Sequence, residues 1–253
     1  MKSAMIPIDN ENVGILGFGE VGSSLSRCYN SPRIFDLEGG RDDLSGIDVL
    51  NVCIPFKDSG FISTVKQAQE MYSPKLTIIH STVAPGTTSA IGGATVHSPV
   101  RGVHPNLYEG IMTFVKYVGA DSEEVGILAC QHLQSLGIQT ELILPSIETE
   151  VGKLFSTTQY GLYIAMHAEL KKMCDEFGVN FETAVTHMNQ TYNEGYEALG
   201  MAHVKRPLLT PPENGIGGHC IIPNAKILKS ALKRSNEALE LLLKYEVTEN
   251  VKS

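Results

Sequence analysis

Apolar positions follow two rhythms along the chain, and the change falls near residue 145. Before it, short apolar runs alternate with longer amphipathic stretches. Val13, Ile15 and Leu16 form a first run suited to a buried strand, and Val21–Tyr29 opens as a helix. Arg33–Asp36 reads as a second strand and Gly39–Gly46 as a polar loop. Ile47–Phe56 is nearly unbroken in apolar character, as a parallel strand buried on both faces requires. Phe61–Tyr72 reads as a helix and Leu76–His80 as another buried strand, with Ser81–Thr88 as the loop at its C-terminal end. Shorter strands at Thr95–His97 and Val115–Gly119 precede a helix at Ser122–Leu136 and a last strand at Thr140–Leu144. This alternation predicts an α/β domain over residues 1–145, built as a Rossmann-type doubly wound parallel sheet.

Beyond Pro145 the period lengthens. Val151, Leu154, Phe155, Leu162, Ala165, Met166, Leu170 and Met173 recur near helical spacing with no intervening proline. Ser146 as N-cap and Gly178 at C′ frame a helix over Ser146–Phe177. At 1.5 Å per residue it spans roughly 45 Å, more than a small domain needs. Such a helix serves as a spine, joining domains or packing on a second subunit. Phe181–Met188 continues as helix, Pro207–Gly218 as an irregular loop, and Ala225–Lys244 as a final helical stretch. Residues 146–253 are therefore expected to form an all-helical domain.

Composition narrows the function classes. A formal charge of −8 over 253 residues argues against a general nucleic-acid or membrane-surface binder. No apolar run is long enough to span a bilayer, and the opening MKSAMIPIDNENV lacks the apolar core of a signal peptide. Five cysteines, odd in number and without metal-type spacing, suit reduced thiols in a cytoplasm. No metal site is expected.

The chemistry starts at Gly17, Gly19 and Gly22, which carry the G-x-G-x-x-G spacing directly after the first strand. The first glycine makes a tight turn, the second admits a pyrophosphate to the backbone, and the third lets helix and strand approach. Glu20 and Val21 lie in the same turn, where free N–H groups face a phosphate. Asp36 closes the second strand, where a carboxylate meets ribose hydroxyls and repels a 2′-phosphate. The reading is NAD rather than NADP, with Pro55, Ser81 and Thr82 added from the neighbouring strand ends. A second anchor is Gly215-Ile216-Gly217-Gly218-His219-Cys220, a cysteine after a glycine-rich turn that suits a nucleophile or a buried structural thiol. His97–His104, with Arg101 inside it, offers cations to a carboxylate or phosphate, and Lys205 and Arg206 offer the same to a substrate phosphate.

The order VGILGFGEVG, NVCIPF, HSTVAPGTT, E-x-x-K-L on the long helix and GIGGHC resembles the UDP-glucose/GDP-mannose dehydrogenase family from Val13 to about Leu228. That resemblance implies NAD-dependent oxidation of a nucleotide-sugar alcohol. It implies Cys220 as the nucleophile, Lys153 as the stabiliser of oxyanions, Thr82 beside the nicotinamide, and Asn224 in the catalytic set. Arg101, His104, Thr157, Arg206, Gly217 and His219 are then the expected substrate-binding residues, and a homodimer built on the long helix is the expected assembly. Three positions depart from the family: Val100 for a glutamate, Thr157 for an asparagine and Asn224 for an aspartate. The family's third domain is expected to be missing. Two other readings stay open: a β-hydroxyacid dehydrogenase using Lys153 alone, and a catalytically silent protein that binds NAD or a nucleotide sugar.

Overall fold

The computed structural model describes residues 12–36, 40–57, 60–102, 105–218 and 220–247. It divides into two compact units, Met1–Lys153 and Leu154–Ser253. The first is a Rossmann-type sheet of eight strands: β1 Val13–Leu16, β2 Arg33–Asp36, β3 Gly40–Arg41, β4 Val49–Val52, β5 Leu76–Ile79, β6 Thr95–His97, β7 Lys116–Ala120 and β8 Thr140–Ile143. Their order is β3-β2-β1-β4-β5-β6-β7-β8. The order reverses beside β1, and ligands of open α/β sheets sit at the strand ends there.

Side-chain alternation explains why the central strands read as continuous apolar runs. Val13, Ile15, Val49, Leu76 and Ile78 join one core, while Leu16, Leu50, Val52 and Ile79 join the other. The first core packs beneath helices α1 (Glu20–Ser26), α4 (Leu107–Thr113) and α5 (Glu123–Ser135). The second packs beneath α2 (Gly60–Tyr72) and α3 (Thr87–Ile91). Both faces are covered, so the central strands β1, β4 and β5 are buried on both sides.

Several expected elements are corrected. Gly39–Gly46 was expected to be all loop, yet Gly40–Arg41 pairs antiparallel with β2. The sheet is not wholly parallel: β7 runs antiparallel to β6, while β8 pairs parallel with β7. Apolar periodicity carries no strand direction, so the sequence does not reveal this. Thr87 and Thr88, expected in a loop, open α3 after Gly86, whose φ of 87° is a left-handed conformation open to glycine. Leu107–Thr113 is a helix that the pattern reading passed over.

A helix of 31 residues, α6 (Ile147–Phe177), crosses the boundary between the units. Ser146 precedes it, but its amide and hydroxyl both donate to Asp121 at 3.0 and 2.7 Å instead of capping the helix by accepting. At the other end Gly178 takes φ 66°, and the amides of Gly178 and Val179 return to the carbonyls of Asp175 and Cys174. That is the glycine stop read from the sequence. The second unit continues through a π-helical segment (Glu182–His187), α7 (Met188–Ala198) and a short 3-10 turn (Ala202–Val204). The expected single stretch Ala225–Lys244 is two helices, α8 (Ile221–Ala231) and α9 (Glu237–Leu243). Leu232 turns extended, and the Asn236 side chain caps α9 by accepting from the Leu239 amide at 3.1 Å. Leu154, Ala165, Ile222, Ala225, Leu228, Leu239 and Leu242 form this unit's main core.

Candidate functional site

The glycine turn shows why each glycine stands where it does. Gly17 has φ 97°, and a Cβ there would meet the backbone of Cys53 and Ile54 below 3 Å. A Cβ on Gly22 would lie 2.0 Å from the Gly17 carbonyl oxygen. Gly19, the residue before α1, is exposed and has nothing within 4 Å of its Cβ position. Two glycines are thus fixed by packing, and the third leaves backbone open to a ligand, which is the geometry a dinucleotide pyrophosphate requires. Glu20 and Val21 begin α1 beside it. The Asp36 carboxylate accepts from the Phe18 amide at 2.7 Å, which sets it against the same turn.

Asp36→Ala is expected to weaken NADH binding by about ten- to a hundredfold, because hydrogen bonds to a charged group are worth roughly 1.5–3 kcal/mol. Fluorescence titration with NADH and NADPH checks it. An unchanged preference between the two dinucleotides would contradict the role given to Asp36.

The neighbouring strand ends complete this edge. Pro55 is exposed after β4, and the Ser81 hydroxyl ties the loop after β5 to it by donating to the Ile54 carbonyl at 2.6 Å. Thr82 follows, half-buried. Lys153, at the C-terminal end of this unit, donates to the Val100 carbonyl at 2.9 Å. Lys116, buried on β7, donates to the Ser98 carbonyl at 2.7 Å. Two lysines therefore hold the Ser98–Val100 segment. Burial lowers Lys116 to about 7; the thiols of Cys53 and Cys28 oppose the shift and Lys153 adds to it. Arg101 turns outward, 5.5 and 5.2 Å from the ring centres of Phe114 and Tyr117, and donates to the Val115 carbonyl.

Behind the strand ends lies a polar group that the sequence reading did not connect. Asn51, buried in β4, accepts at Oδ1 from His80 Nε2 at 2.8 Å, and Tyr29 bridges Asn51 to His132. Burial is the main cause that holds His80 well below its ordinary value of 6.5, His132 at about 4 and His97 at about 3. All three are neutral in the fold at pH 6 and gain protons in the unfolded chain below 6.5. The unfolded state then binds more protons, so stability falls as pH drops from 6.5 towards 4. Urea unfolding across that window is expected to show midpoints falling with pH; a flat profile would contradict the neutral assignment.

The second unit carries the other predicted residues. Cys220, partly buried, immediately precedes α8, and its carbonyl accepts from the Asn224 amide at 3.1 Å. The Asn224 side chain donates to the Thr157 hydroxyl at 3.1 Å. Thr157 and Asn224 are thus bonded to each other as a neutral pair. The glycine run before Cys220 is held by the chain's later segment: Gly215 has φ 91°, and the Ile216 amide donates to the Tyr245 carbonyl at 2.6 Å. Gly217 is exposed. Arg206 stacks 3.6 Å over the Tyr192 ring, and the Asn193 side chain grips its backbone at both N–H and C=O. Lys205 pairs with Glu197 at 2.8 Å. His104 and His219 lie outside the described residues. Among the described residues no three His, Cys, Asp or Glu side chains converge as a metal would need, and no helix is long and apolar enough to cross a membrane.

A doubly wound sheet with a glycine turn at its switch point, followed by a helical region, defines a Rossmann-type fold with a helical second unit. Residues 147–250 match the model of the UDP-glucose/GDP-mannose dehydrogenase family, central domain, which bears out the resemblance read from the sequence. The chain is 25% identical over 242 residues to UDP-N-acetyl-D-mannosamine dehydrogenase of Methanococcus vannielii, covering 88% of this chain and 50% of that one. It is 26% identical over 218 residues to the enzyme of the same name from Pyrococcus horikoshii, covering 76% and 48%. The structure of UDP-D-ManNAc dehydrogenase from Pyrococcus horikoshii superposes with a TM-score of 0.75 at 19% identity, over 92% of this chain and 67% of that one. The chain spans about half the length of the curated relatives it matches.

Proposed function

We propose that this chain binds NAD and oxidises an alcohol of a nucleotide sugar, with Lys153 and Cys220 as the reacting groups. The observation that carries the reading is the glycine turn, open at Gly19 and closed at Gly17 and Gly22, with Asp36 set against it. Gly17, Gly19, Glu20, Val21, Gly22, Asp36, Pro55, Ser81 and Thr82 would hold the dinucleotide, and residues 1–145 are the domain that carries them. Bound NAD supplies the hydride acceptor.

The chain's own residues supply the rest. The Lys153 ammonium stabilises negative charge as it develops on the substrate oxygen. The Cys220 sulfur adds to a carbonyl carbon, and its proton passes to the carbonyl oxygen, giving a thiohemiacetal. Thr157, Arg206 and Gly217 in the second unit are assigned to the substrate, as are Arg101 in the first and His104 and His219 by position in the sequence. The pair Asn224–Thr157 is neutral and supplies no carboxylate base. Hydrolysis of an acyl group on Cys220 is therefore expected to be slower by about 10²–10⁴-fold than a general base would allow, and activity on UDP-glucose to be weak.

The same reading includes a homodimer built on α6 within residues 146–253. Phe155, Tyr160, Met166, Met173 and Phe177 are exposed along that helix, Phe177 to 77%, and single chains rarely leave so many large apolar groups in water. Light scattering is expected to give twice the 27.5 kDa of one chain; a mass near 27.5 kDa at micromolar concentration would contradict it. None of the five cysteines forms a disulfide among the described residues, which suits a reducing cytoplasm. The function is tested by NADH formation against nucleotide sugars and β-hydroxyacids. NADH from a nucleotide sugar supports the reading, and NADH from a hydroxyacid alone overturns it.

A further inference from the structure

The loop between β5 and α3 is gripped at both ends by two consecutive residues of α6. At its start, the Ser81 carbonyl faces His97 Nε2 at 3.1 Å, and His97 Nδ1 faces the Thr149 hydroxyl at 2.8 Å. The same Thr149 hydroxyl donates to the Ser146 carbonyl at 2.9 Å, so it links the His97 ring to the start of α6. At the loop's far end the Glu150 carboxylate accepts from the Gly86 amide at 2.5 Å, the Thr88 amide at 2.7 Å and the Thr88 hydroxyl at 2.6 Å. Glu150 is fully buried, and Thr149 nearly so. Gly119 makes room for the clamp, since a Cβ there would lie 2.0 Å from the Thr149 hydroxyl oxygen. Between the two grips stand Thr82 to Pro85, with Thr82 half-buried. Lys153 follows Glu150 by three residues, about one helical turn.

We infer that Glu150 is a positioning residue: with Thr149 and His97 it fixes the Ser81–Gly86 loop and the start of α3 to the helix turn that bears Lys153. The inference rests on the dinucleotide reading above, which puts Ser81 and Thr82 against the cofactor. A loop held in its bound form in advance binds more tightly, because its ordering cost is met by the fold. A buried carboxylate with three donors suits this task better than a neutral side chain, since charge-assisted hydrogen bonds are roughly twice as strong.

The test uses the full chain with Glu150→Gln, and Thr88→Val as a milder second variant. Hydrogen exchange at the Gly86 and Thr88 amides is expected to quicken by about tenfold in Glu150→Gln, with β1 and β4 amides unchanged. NADH affinity, measured by fluorescence titration of the folded protein, is expected to fall by about tenfold. Thr88→Val should move both readouts in the same direction by less. Unchanged exchange at Gly86 and Thr88 would overturn the clamp. Quicker exchange with unaltered NADH affinity would reduce Glu150 to a stability element and overturn its positioning role. The wild-type titration separates the two failures. A wild type that binds no NADH overturns the dinucleotide reading, whereas a binding wild type indifferent to Glu150→Gln overturns only this inference.

Discussion

Gly22→Ala is expected to abolish NADH binding and to destabilise the first unit. The added Cβ would sit 2.0 Å from the Gly17 carbonyl oxygen and 3.0 Å from its carbon, both backbone atoms that cannot swing aside. Overpacking of this kind costs about 1–3 kcal/mol, and it is relieved only by moving the turn itself. Gly19→Ala is the informative partner, because its Cβ meets nothing within 4 Å. It should leave the unfolding midpoint nearly unchanged while still removing NADH affinity, since a methyl there stands where a phosphate must approach. Urea unfolding and NADH titration of both variants separate the two effects. A Gly19→Ala protein that binds NADH like the wild type would show that the turn does not hold a pyrophosphate.

Lys153→Met is expected to cut the rate of NADH formation by about 10²–10³-fold, the usual loss when a donor to a developing oxyanion is removed. The fold should survive. The lysine is only half-buried, and its hydrogen bond to the Val100 carbonyl holds a segment that Lys116 also holds. Methionine keeps the aliphatic stem and its packing. Initial-rate kinetics beside a thermal melt check both halves. A variant within about threefold of the wild-type rate would remove Lys153 from the chemistry.

How much of this was legible in the sequence depends on the range of the interaction. The glycine turn was legible because its requirements are local: Gly17, Gly19 and Gly22 answer to neighbours within one βα unit. Asp36 was legible because strand length fixes where the second strand ends, and its carboxylate does reach the Phe18 amide. The helix stop at Gly178 was legible for the same reason. Glu150 was not, although it stands in the E-x-x-K-L run. Its partners Gly86 and Thr88 are 64 and 62 residues away, and nothing in its own neighbourhood marks it as buried.

The same limit applies to the buried polar group. Asn51 sits in the middle of an apolar run, and only the folded sheet brings His80, Tyr29 and His132 to it. The direction of β7 escaped because alternation of apolar residues is the same for parallel and antiparallel strands. Thr157 and Asn224 were each legible as departures from the family, but not as partners across 67 residues. Their direct hydrogen bond makes them one neutral pair.

The central claim is that this chain oxidises a nucleotide-sugar alcohol through a thiol as well as a lysine. NADH formation by wild type and Cys220→Ser, measured side by side with nucleotide sugars and β-hydroxyacids, tests it most directly. The account predicts NADH from a nucleotide sugar in the wild type and an aldehyde adduct on Cys220 by mass spectrometry, with turnover lost in Cys220→Ser. Full turnover of a β-hydroxyacid by Cys220→Ser, or no NADH from any substrate by a wild type that binds NADH tightly, would contradict it.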